Sequence, residues 1–327
     1  MVSLVVCGAI NWDISCFVER LPVPGEEVIV KHITRVSGGT GGNIAVAAAR
    51  ILGAKEVALI GALGRDDIAR QQIAALEDEG VITEGIQHIK REESGQAYIL
   101  VDQTGENVIA SHLGANARLG LEHLNKAQAK RQLQECRGIV LTDPPLEVAV
   151  ELIHLAKRRG VPVLWDPGIL IDQDRETLQS LARETEVLFL NETEASALLG
   201  TDELNMSLQK LKKLGLGNHA VLKLGAHGAV MLEPASSTVT QIPALPLKKL
   251  GLNVISTVGC GDVFAGVFAA YYIMGANLRK SLIMASAAAG LNATQPETRG
   301  SPGRAGLEEV ANRSRHLGFT VRKRKLL

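Results

Sequence analysis

Two kinds of segment alternate along this chain, and their order constrains the fold most. Short apolar runs at Val57–Ile60, Gly138–Leu141, Pro162–Trp165 and Val187–Leu190 show no polar alternation and are bounded by turn residues. Such runs suit strands covered on both faces. Between them lie stretches of helical periodicity: Gly42–Leu52, Asp67–Glu79, Glu147–Arg159, Arg175–Arg183, Glu194–Leu199 and Asn205–Leu214. Ser281–Ala293 adds a helix of small, close-packing residues. Parallel strands joined by crossover helices build a doubly wound sheet. The expected class is therefore α/β: a doubly wound, mainly parallel sheet flanked by helices. With 327 residues there is room for one large domain or two ordinary ones. No repeat or low-complexity linker divides the chain, so a single domain over 1–327 is expected. Aromatics are only 3%, so Ala, Val, Leu and Ile must fill the core.

Two regions, about 13–37 and 95–113, break that rhythm. Glu27–His32 and Gln96–Val101 alternate, and Asp102-Gln-Thr-Gly-Glu106 reads as a turn. These segments pair with each other more readily than they join the main sheet. They are expected to form a small inserted β lid; the plainer alternative is two surface hairpins without a role. Residues 313–327 form a basic C-terminal tail, expected to be solvated rather than a nucleic-acid contact. The formal net charge is zero, which argues against a nucleic-acid or membrane surface. The four cysteines are scattered without a Cys-x-x-Cys pair, which fits a reducing, cytoplasmic compartment. The first residues read as a β-strand rather than a signal peptide, and no apolar run is long enough to span a membrane.

Chemistry enters with Ser256-Thr-Val-Gly-Cys-Gly-Asp262-Val-Phe264, a glycine loop running into a helix from Gly261 to about Gly275. Gly259 and Gly261 let the backbone turn tightly and bring N–H groups to a ligand. A helix N-terminus adds unpaired donors and partial positive charge, which suits phosphate. A carboxylate there repels phosphate, so Asp262 makes sense facing a second substrate whose hydroxyl it deprotonates. Donors for a transferred phosphoryl group beside a base for the nucleophile are what a small-molecule kinase needs. The bland alternative makes Asp262 a helix cap.

The loop resembles the signature Asp-Thr-x-Gly-Ala-Gly-Asp of the PfkB, or ribokinase, family of sugar and nucleoside kinases. Ser37-Gly-Gly-Thr-Gly-Gly-Asn-Ile-Ala-Val-Ala-Ala-Ala-Arg50 is similar to that family's N-terminal signature, and Asn191-Glu-Thr-Glu194 to its Asn-x-x-Glu motif. Gly8–Asp13 resembles its opening strand and sugar-binding turn, and Gly105–Asn116 a segment of ribokinases. The matches are collinear from about Val5 to about Gly303. The resemblance implies a kinase that uses ATP and Mg²⁺ on a sugar or nucleoside. It implies Asp262 as general base, with Gly259, Cys260 and Gly261 presenting N–H groups to the γ-phosphate. Asn11, Asp13, Gly38, Gly39, Thr40, Asn43 and Asp143 fall at acceptor-binding positions. Asn191, Lys223, Gly225, Gly228, Thr257 and Ser286 fall near the nucleotide, and Glu194 at a position that organises Mg²⁺ through water. Asn191 and Glu194 also read as a helix-starting capping box, Thr257 equally as a turn residue, and His227 as a turn residue. A lid-paired homodimer is implied as well.

Three departures bear on the substrate. Ribokinases carry Lys where this chain has Thr40, and a sugar-contacting Glu where it has Asp143. Ser256 replaces an Asp that in many members helps hold a monovalent cation, which puts potassium activation in question. Ribose is the leading acceptor and a nucleoside the runner-up, since Thr40–Ala45 and Asp166-Pro-Gly168 also resemble nucleoside kinases. A dinucleotide fingerprint after the first strand and a P-loop are both absent. The rival of another class is a catalytically silent sugar sensor, which is expected to have lost Asp262 or the glycines.

Overall fold

Strands without polar alternation need cover on both faces, and the structure, a computed structural model describing residues 2–215 and 218–326, supplies it. From the N-terminus come β1 (Leu4–Gly8), β2 (Asn11–Phe17), β3 (His32–Gly38), α1 (Thr40–Leu52), β4 (Val57–Leu63), α2 (Asp67–Asp78) and β5 (Ile86–His88). Then follow β6 (Gly95–Val101), β7 (Asn107–His112), α3 (Leu121–Leu124), α4 (Ala127–Glu135), β8 (Gly138–Thr142), α5 (Leu146–Arg159), β9 (Val163–Asp166), α6 (Arg175–Ala182) and β10 (Val187–Asn191). The chain ends with α7 (Glu192–Leu199), α8 (Leu204–Lys213), β11 (His219–Lys223), β12 (Ala229–Glu233), β13 (Thr238–Ile242), α9 (Cys260–Ile273), α10 (Leu278–Asn292), α11 (Arg304–Ser314) and β14 (Arg322–Lys325).

The main sheet has ten strands in the order β14-β13-β12-β11-β10-β9-β8-β1-β4-β5. Neighbours from β5 to β11 are parallel, and β12, β13 and β14 add antiparallel pairs. Successive residues of each central strand feed two separate cores. Leu4, Val6, Val187 and Phe189 pack with α1, α9 and α10 on one face. Val5, Cys7, Leu188 and Leu190 pack with α5, α7 and α8 on the other. Phe189 meets Phe264 and Phe268 edge-on, which fastens α9 to β10. Each such aromatic pair adds about 0.5–1.5 kcal/mol beyond area burial.

After β1 the chain builds outward to β4 on one side, and β8 later pairs on the other. Ligand crevices open at the carboxyl ends of strands where the order reverses. Here those ends lie in register: Gly8 beside Thr142, Thr142 beside Asp166, and Asn191 beside Lys223.

The inserted regions form a separate four-stranded sheet, β3-β2-β6-β7, with β2 and β6 parallel. The predicted strand over Glu27–His32 begins instead at His32, because β2 ends at Phe17, the partner of His32, and the ladder closes with the bond from Lys31 N–H to Phe17 O at 2.8 Å. Ile29 and Val30 are exposed there. The tail also departs from expectation. Arg322–Lys325 pairs antiparallel with β13, and Leu326 is buried and donates its N–H to Ser237 O. Its basic side chains all stay exposed, and charge on an edge strand discourages further pairing. Among the described residues no helix is long and apolar enough to cross a membrane.

Candidate active site

Asp262 lies in the first turn of α9, whose N-cap is Gly259 at φ 75°, a left-handed conformation that glycine adopts without penalty. A Cβ at Gly259 would lie 2.4 Å from Thr298 O, so no side chain fits the turn. Cys260 N–H is taken by Thr257 O at 3.3 Å, so this predicted donor is engaged in the turn. The N–H groups of Gly259 and Gly261 have no such partner among the described residues. Burial holds the Cys260 thiol above its usual range, so it stays protonated. The Thr257 side chain is exposed at the mouth.

The turn from β3 into α1 is built against this helix start. Asn43 on α1 donates from Nδ2 to Asp262 Oδ2 at 2.8 Å. Asp13 on β2 is buried beneath Gly38, where a Cβ would overlap its carboxylate. Gly39, at φ 83°, turns the chain from β3 into α1 and donates its N–H to Asp13. Asn116 donates to Ile10 O and Asn11 Oδ1 and accepts from Ile10 N–H, at 3.1, 2.8 and 2.9 Å. It thereby pins the point where the chain enters the lid to the turn by which it leaves. Thr40 and Asp143, two separate departures in sequence, are one feature in space. Thr40 Oγ1 donates to Asp143 Oδ2 at 2.6 Å, and Asp143 Oδ1 accepts from Ile169 N–H at 2.7 Å. Asp143 thus braces α1 against the 167–172 loop.

A second, charged group of residues gathers at the ends of β9, β10 and β11. Asn191 and Glu194 form a complete capping box, each side chain accepting from the other's backbone N–H at 2.8 and 2.7 Å. Lys223 donates to Asp166 Oδ2 at 2.5 Å. Its ammonium lies 3.4 Å from where a Gly261 side chain would start, beside the helix N-terminus. Gly225 and Gly228 form the turn after β11, and His227 is exposed in it. Ser286 is buried on α10, and its hydroxyl donates at 3.3 Å to the carbonyl of Pro243, the residue that packs against Gly228.

Charge in the site is unbalanced. Asp143, Asp166, Glu194 and Asp262 sense one another, and Lys223 faces them. Burial, reinforced by Asp166, pushes Glu194 up to about 7. Burial also pushes Asp262 up to about 7 against the opposing bond from Asn43, and Asp13 to about 7 against Arg299 and Gly39 N–H. Burial alone would lower Lys223, but Asp166 and Glu194 outweigh it and hold the ammonium charged. A cluster of acids short of positive charge is an arrangement that a cation completes. Among the described residues no three His, Cys, Asp or Glu side chains are grouped to hold a metal directly. As carboxylates beside a single ammonium, Asp166 and Glu194 suit a cation that keeps its waters, as Mg²⁺ does. The surroundings of Ser256 do not fit a carboxylate-held monovalent cation. Its neutral hydroxyl accepts from Val258 N–H at 3.3 Å, and Asn292 donates to Val258 O at 3.1 Å.

Residues 1–303 match the pfkB family carbohydrate kinases. The chain belongs to that family. It is an ATP-dependent carbohydrate kinase. It is 28% identical over 302 residues to an ATP-dependent ribose-1-phosphate kinase of Halopiger xanaduensis, covering 92% of this chain and 95% of that one. It is 31% identical to the ribokinase of Mus musculus, over 84% of this chain and 83% of that one. The structure of Arabidopsis thaliana ribokinase complexed with ribose and ATP superposes with a TM-score of 0.80 at 25% identity, over 95% of this chain and 99% of that one.

Three contributors carried no motif. In the sequence Asp166 stands out only as part of Asp166-Pro-Gly168, Asn116 only as the last residue of Gly105–Asn116, and Arg299 not at all. Arg299 is buried with its Nε on Asn43 Oδ1 at 2.9 Å.

Proposed function

We propose that this kinase transfers the γ-phosphoryl group of ATP to a hydroxyl of ribose or a closely related pentose. The observation that carries this is the 2.8 Å bond from Asn43 to Asp262. It joins the acceptor turn to the glycine loop, so a sugar seated on one presents its hydroxyl to the other. Asn43 occupies Asp262 Oδ2, and Oδ1 receives the proton as the acceptor oxygen attacks phosphorus. A positioned base of this kind contributes about 10²–10⁴-fold. Gly259 and Gly261 N–H groups, with the Lys223 ammonium beside them, meet the charge on the transferred group. Asn11 and Asp13 hold sugar hydroxyls, since an amide and a carboxylate together donate and accept. Asp166 and Glu194 would hold Mg²⁺, and the cation would supply charge neutralisation of the phosphates. A nucleoside acceptor is the second reading, favoured by Ile169, an apolar side chain 47% exposed next to Asp143.

The exposed lid residues Ile33, Tyr98 and Val108 lie on one face of the small sheet and form an apolar surface that a second copy covers, so a homodimer through the lid is part of the proposal. The four cysteines are free thiols, which supports a cytoplasmic location. The test is ADP release from Mg·ATP over ribose, deoxyribose, ribose 1-phosphate, hexoses and nucleosides. Ribose or a near relative is expected to lead. A nucleoside with the highest kcat/KM would replace ribose in this reading, and no turnover with any acceptor would sink it.

A further inference from the structure

Arg299 is a buried guanidinium without a role in the chemistry above. Its surroundings are specific. Nε donates to Asn43 Oδ1 at 2.9 Å, Nη1 to Ser37 Oγ at 2.7 Å and Nη2 to Gly38 O at 3.1 Å. Ser37 in turn donates to Gln72 Oε1, and Gln72 donates to Asn11 O. Gln72 is fully buried. Arg50, paired with Glu79, holds the carbonyls of Arg299 and Ser301. One side chain thus reaches β3 directly, β2 through Ser37 and Gln72, and Asp262 through Asn43. β2 and β3 are the strands that carry the lid.

A guanidinium has donors only, whereas a carboxamide has one end of each kind. Arg299 therefore forces the Asn43 carbonyl toward itself and the Asn43 NH₂ toward Asp262. With the opposite amide orientation a carbonyl would face the carboxylate, and Asp262 would keep its own proton to bond it. We infer that Arg299 is a positioning residue that sets the Asn43 amide and thereby ties the acceptor turn and the lid strands to the general base. The inference deepens the reading of Asp262 above and rests on it. Asp262 is also faced by Asp143 after β8, Asp166 on β9 and Lys223 on β11, while Arg299 faces Asp13, Glu79 and Arg50. Losing the guanidinium removes both the amide lock and a positive charge, so the Asp262 carboxyl shifts upward.

The experiment compares Arg299→Gln, Arg299→Lys and Ser37→Ala with wild type. Gln can accept as well as donate, so it releases the Asn43 amide. For Arg299→Gln the expected loss is about ten-fold or more in kcat, as for a coupled network, with the KM for ATP unchanged. Arg299→Lys is expected to recover part of that loss, and Ser37→Ala to lose several-fold. In a double-mutant cycle, Arg299→Gln is expected to cost little once Asn43→Ala is in place. Full multiplication of the two losses, or an unchanged kcat in the Lys and Ala variants, overturns the inference. If Arg299→Gln does not fold, those two milder variants still decide it. A substrate-free readout separates the inference from the kinase assignment. In ¹³C-Asp-labelled protein, the carboxyl resonance assigned with Asp262→Asn should titrate at higher pH in Arg299→Gln. If it does so while no acceptor is phosphorylated, the substrate reading fails and the positioning role stands. If it does not move, the positioning role fails.

Discussion

Asp262 combines two properties at one position. It begins a helix, where the backbone favours negative charge, yet burial holds its carboxyl up to about 7. A base titrating near operating pH is well matched to proton transfer. Because only the ionised form accepts a proton, kcat/KM is expected to rise with pH through an acid limb near 7 and then level. Asp262→Asn keeps the size and the contact with Asn43 but cannot take the proton. It is expected to lose about 10²–10⁴-fold in kcat while still binding the sugar, measured by calorimetry alongside initial rates. A variant as fast as wild type would remove Asp262 from the base role. The Thr40–Asp143 bond shows what single positions hide: the shorter acid and the missing lysine form one internal contact between residues 103 positions apart.

At the scale of elements, α7 starts with a capping box that lies inside the charged cluster, so the proposed cation site and the helix cap share Glu194. Glu194→Gln separates them. Gln also closes a capping box, so the cap, a feature whose loss costs about 0.5–2 kcal/mol, survives. The charge does not. The melting temperature is therefore expected to hold or rise, while the Mg²⁺ concentration for half-maximal activity increases several-fold. A clear drop in melting temperature with unchanged Mg²⁺ dependence would leave Glu194 a cap alone. The same element shows what could be read from the residues. The helix start at 260 and the strand ends follow from local pattern, apolar runs and glycine turns, whereas alternation marked β6 but set its lid partner over Glu27–His32, ahead of β3. The edge strand β14 did not, because Arg322–Lys325 has the composition of a solvated run and gains structure only from β13. The Lys223–Asp166 pair and the Arg299 contacts were equally hidden, since they join residues 57 and 256 positions apart and no local spacing encodes such distances.

Across the whole molecule, Asp13, Glu194 and Asp262 give stability a definite pH dependence. Their ordinary values are 3.8, 4.5 and 3.8, and each is raised to about 7 in the folded state. Between those limits the native protein holds protons that the unfolded chain has released. Stability therefore falls as pH rises from about 4 to about 7, and flattens above, where both states are ionised. Asp66 and Glu186 are shifted the other way, so their contribution is present above the ordinary carboxylate range and lost only in acid, below this window. The unliganded enzyme is expected to melt several degrees lower at pH 8 than at pH 5.5. Mg·ATP brings its cation to the acidic cluster and should raise the melting temperature more at pH 8 than at pH 5.5, narrowing the gap. Asp262→Asn removes one of the three titrations, so its unliganded curve should be shallower than wild type between these pH values. An unliganded melting temperature that rises from pH 5.5 to 8 would show that the three carboxyls are ionised throughout and that the site tolerates its unbalanced charge without a bound cation.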